Sequence, residues 1–550
     1  MLCLLMAMTA VDVNELKWWR AEAERLAEEN AVLQDRVADL EGQVAVLTEQ
    51  VATLAKLTFG ISSEKKRRGG PSRDPEDCPS DTADPESGSR DSEGSGRRGR
   101  GQRRGGRGHG RRGYSHLEAE EEVHDVDENE RVCPDCGQDY APCGYESSTQ
   151  IDWQVRIVRV VHRRRRYRRR CDCGASRAMV VAAVPPKAIP KGMFTSMFLA
   201  RLLVEKYVLG RPLRRIAAAL ANDGFDIAQG TLVGALKKLS TLLAPLDAAV
   251  RTRNAAQTHL HIDETSWNVF EAVADKANYR WWLWVFVGTD TTVFRIEQSR
   301  STKVLTDHLG IDLDAGSLPK GQRLLVSSDF FTVYQALAKV DGVESLWCWA
   351  HMRRYFIRAG DAHKDLADWT AAWLERIGML YVAHRALEDC AAGTPEHQRA
   401  SKDFADAFDA IDVARDAEAN DETLHPRQRK VLATFGNEWE GLFRHQQFPE
   451  IALDNNVAER TLRNPVVGRK NYYGSGSVSA SELSGRVWTV TATAAQAGIN
   501  PLSYLHDYLD ACAHAGGRPP ESETLTRFLP WSASSNDLKR WRDAPNGPSP

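Results

Sequence analysis

The stretch HLHIDETSWNVF, residues 259–270, alternates apolar and polar side chains, as is typical of a half-buried β-strand. Two further strand-like segments follow it, YRWWLWVFVGT at 279–289 and TTVFRIEQSR at 291–300. The pattern continues with a helix near 301–309, the strand segment RLLVSSDFF at 323–331, a helix near 332–339 and the strand segment ESLWCWAH at 344–351. Three meandering strands, a helix, a strand, a helix and another strand predict an α/β core of the ribonuclease-H type.

Two aspartates occupy informative positions in this pattern. Asp263 lies at the centre of the first strand and Asp329 ends the fourth. These strands are neighbours in a ribonuclease-H sheet, so the two carboxylates are expected side by side, where they repel each other unless a divalent cation binds. Each aspartate alone could be a strand-end cap or a surface residue. Together they predict a phosphoryl-transfer site that uses two metal ions, and oxygen ligands of this kind suit magnesium.

A third acidic residue, Glu459, lies in the stretch DNNVAERTLRNPVVGRKNYYGSGS. Asp454 or Asn455 is expected to cap a helix that Pro465 ends, with Glu459 in its middle. The carboxylate could pair with Arg463, four residues later, or lie beside the two aspartates as the last metal ligand, and neither role excludes the other.

The same stretch is rich in basic residues and glycine. Its glycines would allow a close approach of the backbone to DNA. The residues expected to face phosphate groups are Arg460, Arg463, Arg469 and Lys470.

Residues 131–175 carry two close cysteine pairs, in CPDCG and CDCG, on either side of a strand-like QIDWQVRIV. Such pairs at the ends of a hairpin can converge on one structural zinc ion, which would supply folding energy that so short a module lacks. The predicted ligands are Cys133, Cys136, Cys171 and Cys173. Cys143 or His162 could replace one of them, and four unligated thiols are the alternative. Arginines of the run 163–170, among them Arg165, Arg166 and Arg168, are expected to contact a phosphate backbone.

Residues 14–58 show a heptad repeat, with leucine at five successive d positions and valine at three of the a positions. Valine at a, leucine at d and the single Asn30 at a favour a parallel two-stranded coiled coil, hence a homodimer or a higher assembly. The alternative is one amphipathic helix packed on its own chain.

The rest of the chain divides by composition and periodicity into a multidomain α+β protein. The expected segments are a disordered Arg/Gly-rich linker at 69–115, a helical, helix-turn-helix-like region at 190–256, a catalytic domain at 258–475 with a helical insertion at about 352–447, helices at 480–515 and a tail at 516–550.

Charge and cysteine usage bound the class of protein. The net charge is only −3, yet residues 97–112 contain eight arginines and no acidic residue, a density that favours nucleic acid as partner or, alternatively, a solubilising tail. No apolar stretch is long enough for a membrane span, and the ten cysteines, without an export signal, favour metal binding over disulfides. A cytoplasmic, nucleoid-associated protein is expected.

The motifs also resemble those of a known family, the DDE-type transposases of insertion sequence sixty-six. The matching strings include KYVLGRPLRR, HIDETSW, SSDFFTVYQAL, CWAHMRRYF, the stretch that contains Glu459, and NPLSYL. The resemblance implies that Asp263, Asp329 and Glu459 form an acidic triad that holds two Mg²⁺ or Mn²⁺ ions, and CWAHMRRYF adds His351 and Arg353 as DNA contacts.

The implied function is a DNA transposase that cuts insertion-sequence ends and transfers the cut strand into target DNA. Its partners would be both DNAs, a second protomer and, in some elements, accessory proteins. The alternatives are a ribonuclease-H-like nuclease without strand transfer, or a DNA-binding protein whose triad no longer turns over.

Overall fold

The structure of the chain is a computed structural model. It describes residues 135, 138, 156–168, 170, 179–274, 276 and 278–542. The expected coiled coil, the linker and the four cysteines Cys133, Cys136, Cys171 and Cys173 lie outside the described residues, so the dimer and the zinc module stay predictions.

A five-stranded mixed sheet forms the centre of the described fold. A separate short hairpin pairs β1 (Arg166–Arg168) with β2 (Met179–Val181). The central strands are β3 (His259–Asn268), β4 (Arg280–Val287), β5 (Thr292–Glu297), β6 (Leu324–Ser328) and β7 (Val343–Trp347). Their order across the sheet is β5-β4-β3-β6-β7, with β3 to β5 antiparallel and β6 and β7 parallel to β3. The predicted adjacency of the first and fourth strands is therefore present, as β3 and β6.

Helices surround this sheet and make the described part a mixed α+β fold. They are α1 (Ser196–Leu203), α2 (Leu213–Asn222), α3 (Gln229–Ala255), α4 (Thr302–Leu309), α5 (Thr332–Leu337), α6 (Trp349–Ala362), α7 (Ala367–Glu388), α8 (Pro395–Ala419), α9 (Pro426–Asn437), α10 (Trp439–Phe443), α11 (Asn456–Tyr472), α12 (Val478–Gln496), α13 (Pro501–His514), α14 (Ser522–Thr526) and α15 (Ser535–Arg542). A π-helix at Val204–Val208 and two 3₁₀ turns, Lys364–Leu366 and Arg444–Gln447, complete the set.

The two faces of the sheet bury different cores because side chains alternate along each strand. Leu283 and Val285 of β4 pack in a core shared with α1, α3, α11, α12 and α13. Trp284 and Phe286 pack in a second core with α4 to α9. Burying an aromatic side chain such as Phe286 stabilises the fold by about 2 kcal/mol. The long helical segment between β7 and α11 thus covers one face, and α11 crosses the other.

Helix α11 does not end at Pro465, as the sequence predicted, but continues to Tyr472. Pro465 is buried on the same face as Ala458 and Leu462, which packs against the sheet. The packing of this face outweighs the backbone hydrogen bond that proline removes, so the helix continues through it.

Residues 516–550, predicted as a tail, contain the short helices α14 and α15 up to residue 542. Phe528 and Trp541 are almost fully buried in the core with α13. The indole Nε1 of Trp541 donates to Asp507 at 2.8 Å. This packing comes from aromatic residues whose spacing shows no helical period. The sequence therefore indicated a tail rather than helices.

The predicted helical hairpin is present as α2 and α3, joined by a turn in which Gly224 has a positive φ of 82°. Arg214, Arg215, Lys237 and Lys238 are exposed on it. Contact with DNA by this hairpin stays a prediction.

None of the described helices combines the length and the apolar character that crossing a bilayer requires.

Candidate active site

Asp263 lies on β3, and Asp329 directly follows the end of the neighbouring strand β6. His261 of β3 pairs with Ser327 of β6 in a parallel ladder, and each aspartate lies two residues further along its chain. The Oδ1 atom of Asp263 accepts a hydrogen bond from the amide of Glu264 at 2.9 Å, and Oδ1 of Asp329 accepts one from the amide of Phe331 at 3.0 Å. Backbone amides therefore orient both carboxylates at the centre of the sheet.

The surroundings of Asp263 oppose its ionisation. Burial is the main cause, and the nearby charges of Glu264, Asp329 and Glu459 add to it, so the pKa of Asp263 rises to about 8. Within the described residues, neither Asp263 nor Asp329 has a basic side chain in ion-pair contact. A half-buried carboxylate in this setting binds a proton or a cation readily.

Glu459 lies in the first turn of α11 rather than in the middle of the helix. Both carboxylate oxygens lie 3.3 Å from Nη2 of Arg354 on α6, and Oε1 lies 3.8 Å from Nε2 of His351. Burial lowers the pKa of His351, which keeps the imidazole neutral and leaves Arg354 as the main partner. Arg463 is exposed and makes no ion pair with Glu459 among the described contacts, so the alternative of an intrahelical pair is not what this conformation shows.

Asn455 fixes the beginning of α11 against β3. Its side chain makes no capping bond; instead Nδ2 donates to the carbonyl of Ile262 at 2.7 Å, and Oδ1 lies 3.0 Å from Nδ1 of His261. Asp454 supplies the local bond by accepting from the amide of Asn456 at 3.0 Å. Asn455 is only 2% exposed, so it acts as a buried link that brings Glu459 over the strand that carries Asp263.

The far end of α11 is fixed to the same strand. Arg469 donates to the carbonyl of Ser266 and, at 3.1 Å, to the hydroxyl of Thr265. The guanidinium of Arg469 is therefore bonded to β3 in this conformation, and its contact with DNA stays a prediction. After the helix, the amide of Ser475 donates to the carbonyl of Asn268 at 2.8 Å. Gly474 thus allows a close approach of the backbone, but the approach is to strand β3 of the same chain.

This anchor gives a stability prediction. Gly474 has a φ of 148°, and a Cβ atom there would lie 2.2 Å from the carbonyl oxygen of Asn268. We expect Gly474→Ala to lower the free energy of unfolding by roughly 2 kcal/mol or more, because the clash and the backbone strain add. Thermal and urea unfolding would measure this. The matched control is Gly476→Ala, where a Cβ meets nothing within 4 Å, and equal stability of the two variants would contradict the assignment.

A divalent cation such as Mg²⁺ prefers oxygen ligands. Asp263 and Asp329 fit, since they are oxygen ligands without a basic partner. Glu459 is held by Arg354 in this conformation. Correspondingly, no group of three or more His, Cys, Asp or Glu side chains in the described part of the chain is arranged to hold a metal ion.

Comparison with known proteins decides the family. The sequence profile described as "Transposase IS66 family" matches residues 191–482, more than half of the chain. The chain belongs to the IS66 family of transposases.

Two individual relatives of the IS66-family chain share about a quarter of the aligned residues with it. It is 25% identical over 442 residues to the uncharacterized protein y4qI of Sinorhizobium fredii (strain NBRC 101917 / NGR234), covering 76% of each chain. It is 23% identical over 411 residues to the uncharacterized protein y4hP of the same organism, covering 70% of each. No solved structure matches it.

The basic residues predicted to contact DNA in this IS66-family chain occupy different surroundings. Arg460, Arg463 and Lys470 are exposed on the outer side of α11, opposite its buried face. Arg353 is exposed on α6, and His351 is half-buried beside Glu459. Arg165, Arg166 and Arg168 are exposed in the β1 region.

Sequence reasoning missed four side chains around the acidic residues. Arg354 follows His351 by three positions on α6, so one helical turn brings them together, and the string CWAHMRRYF contained this signal. Glu264 follows Asp263 directly and faces the other side of the sheet. Its partners there are Arg300 and Tyr334. The alternation of β3 indicated a buried Glu264, but not its partners.

Two surface cavities in the described part of the chain lie elsewhere. One, of about 730 Å³, is lined by residues of 507–527 in the α13–α14 region, among them Asp507, Asp510 and Glu521. The other, of about 410 Å³, lies between α11 and α12 and is mostly apolar, with Arg460 in its wall. A shallow site that acts on a long polymer does not need an enclosed cavity, so these cavities do not argue against the acidic cluster.

Proposed function

We propose that the chain is a DDE-type transposase with a ribonuclease-H-like catalytic domain that cuts DNA strands at the ends of an insertion sequence and joins them to target DNA. One observation carries the proposal. Asp263 on β3 and Asp329 directly after the neighbouring β6 occupy corresponding positions, and α11, which is anchored on β3 at both ends, brings Glu459 near enough to raise the pKa of Asp263. The order and directions of the strands support the fold assignment.

We propose Asp263, Asp329 and Glu459 as the residues that would hold magnesium or manganese, two ions per site. Such ions, when bound, stabilise the charge that develops on phosphate oxygens and lower the pKa of a bound water. In this conformation Arg354 neutralises Glu459. Ligation by Glu459 would therefore require it to exchange this partner.

The basic residues are suited to holding the substrate. Arg460, Arg463 and Lys470 recur along one exposed side of α11, and Arg353 is exposed on the neighbouring helix α6. Phosphate contacts of this kind fix the register of DNA without reading its sequence. The arrangement favours a DNA backbone that follows α11 past the acidic residues.

The proposed chemistry is two successive in-line displacements at phosphorus. In the first, water attacks the phosphodiester at the end of the element, and the bond to the 3′ oxygen breaks, leaving a 3′-hydroxyl. In the second, this hydroxyl attacks a phosphodiester of the target, and the target's own 3′ oxygen leaves. The number of phosphodiester bonds is conserved in the second step, so it needs no nucleotide cofactor.

The test is a reaction of the full chain with labelled element ends, target plasmid and Mg²⁺, run in parallel with ends that are already cut. We expect nicked ends from the first substrate and joined products from both. Nicking without joining of the pre-cut ends would support a nuclease instead. Binding without either product would indicate a DNA-binding protein, and both results would contradict the proposal.

Two parts of the proposal concern residues outside the described ranges. Pairing of two protomers through 14–58 would hold two element ends together, and a zinc ion bound by Cys133, Cys136, Cys171 and Cys173 would stabilise a DNA-binding module. Both stay predictions from the sequence.

A further inference from the structure

A polar cluster lies beneath the acidic residues, on the opposite face of the sheet. Glu264 follows Asp263 on β3, and its side chain is only 1% exposed. One carboxylate oxygen accepts a hydrogen bond from Nε of Arg300 at 2.6 Å and also contacts Nη2. The other accepts from the hydroxyl of Tyr334, which is fully enclosed on α5. We call Glu264, Arg300 and Tyr334 the Arg300 cluster.

Arg300 also contacts the segment that carries Asp329. Its guanidinium carbon lies 3.5 Å from the ring centre of Phe331 and 4.8 Å from that of Trp282. Phe331 is the residue whose amide donates to Asp329 Oδ1, and Tyr334 lies three residues further along. The Arg300 cluster therefore touches both backbone segments that orient the two aspartates.

The connection is short on each side. On β3 it runs from Arg300 to the carboxylate of Glu264, whose amide holds Asp263. On the β6–α5 turn it runs from Arg300 to the ring of Phe331, whose amide holds Asp329. The guanidinium fork of Arg300 places Nε and Nη2 on one oxygen of Glu264, and the same planar group stacks on Phe331, so it links the two segments.

We propose that Arg300 is a positioning residue that, through Glu264 and Phe331, fixes the distance between the carboxylates of Asp263 and Asp329. The inference rests on the proposed function of those aspartates. A buried ion pair by itself is a poor source of stability, because desolvation offsets much of the attraction. Apolar residues could fill the space of the Arg300–Glu264 pair. The alternative explanation is therefore that the pair contributes to packing alone and does not position the aspartates.

A matched pair separates the two explanations. Arg251 is 29% exposed against 30% for Arg300, and its Nε lies 2.8 Å from Oδ2 of the buried Asp247. It also donates to the carbonyl of Phe294, on β5. Arg300→Met and Arg251→Met remove comparable buried ion pairs, but only the first touches the segments of Asp263 and Asp329.

The experiment uses the full chain and three measurements. These are Mn²⁺ binding followed by electron paramagnetic resonance, DNA affinity, and the single-turnover rate of strand cleavage at saturating DNA. We expect Arg300→Met to weaken Mn²⁺ binding and to slow cleavage by roughly 10- to 100-fold each, since groups that orient metal ligands typically contribute this much. DNA affinity should stay within about twofold. Arg251→Met should change neither Mn²⁺ binding nor the rate when both variants melt at similar temperatures.

Conservative variants keep the test decisive if Arg300→Met does not fold. Tyr334→Phe removes one hydroxyl from the Arg300 cluster and should slow cleavage in the same direction, by roughly tenfold. Arg300→Lys keeps the charge without the fork and should recover part of the loss.

Several outcomes are distinguishable. Mn²⁺ affinity and rate at the wild-type level in both Arg300→Met and Tyr334→Phe would overturn the positioning role. Absence of cleavage in the wild type would count against the proposed function, while the Mn²⁺ measurement would still decide the role of Arg300.

Discussion

Replacing Asp263 with asparagine is expected to abolish strand cleavage and, without divalent cations, to make the protein more stable. The rate should fall by roughly 1,000-fold or more, because the lost stabilisation of the transition state is several kcal/mol and each 1.4 kcal/mol is a factor of ten. DNA affinity should be unchanged, because the proposed DNA contacts Arg460, Arg463 and Lys470 lie on the exposed side of α11 and do not pair with Asp263. Gel-based cleavage and binding assays measure both quantities.

The stability gain follows from the titration of Asp263. Its pKa in the fold, about 8, lies above the ordinary value near 4. Between these values the folded protein keeps a proton that the unfolded chain has lost, so the free energy of unfolding falls as pH rises. The slope reaches at most about 1.4 kcal/mol per pH unit, and the loss is complete above pH 8. Asparagine does not titrate, so the melting temperatures of the two proteins should differ most above pH 8.

Divalent cations should reverse this order. Mg²⁺ should raise the melting temperature of the wild type by mass action and leave that of Asp263→Asn nearly unchanged. A suitable control is Asp290→Asn, which removes a carboxylate paired with Arg253 at the β4–β5 turn. If Asp263→Asn cleaves DNA normally in Mg²⁺, Asp263 is not part of the site.

The second large effect concerns Glu459→Gln. We expect turnover to fall by roughly 1,000-fold, comparable to the effect at Asp263, because the amide cannot complete the set of acidic ligands. The melting temperature should change little, since the pair with Arg354 is partly exposed and contributes only about 0–1 kcal/mol. A large loss of rate with a small loss of stability would show that Glu459 serves the chemistry rather than the helix.

Two arginine variants complete this comparison. Arg354→Ala removes the observed partner of Glu459 and tests whether that pair supports or competes with activity.

Arg463→Ala removes an exposed residue of α11, so it should weaken DNA binding. The slope of the logarithm of DNA affinity against the logarithm of salt concentration should fall by roughly one unit, with the metal site intact. Normal turnover in Glu459→Gln would exclude the catalytic role.

The sequence predicted the sheet well because its strands are strongly patterned. In β4, the short apolar run that contains Leu283, Val285 and Phe286 favours a buried strand, and the meander followed by two helix-linked strands limits the topology. The adjacency of Asp263 and Asp329 then follows from the order of the strands. This is the part of the site that pattern and topology alone can specify.

Long-range partners could not be predicted in the same way. The bond of Asn455 to Ile262 and the pairing of Glu459 with Arg354 join residues that only the folded chain brings together. Local rules instead assigned Asn455 to a helix cap and Arg463 to Glu459, because capping and i,i+4 pairing are the short-range alternatives. The prediction that Pro465 ends α11 was wrong for the same reason. Proline destabilises a helix locally, but the packing of α11 on the sheet outweighs this effect.

The way α11 is fastened has a consequence for synthesis on the ribosome. The contacts that hold it span 194 residues between His261 and Asn455 and 208 residues between Trp267 and Ser475. All of β3 to β7 emerges before α11 does, and nascent chains fold in the order in which they appear. Glu459 therefore reaches the aspartates only after the helical segment has been translated. A prematurely terminated chain would carry Asp263 and Asp329 without Glu459 and without α11, α12 and α13, whose side chains complete one core of the sheet.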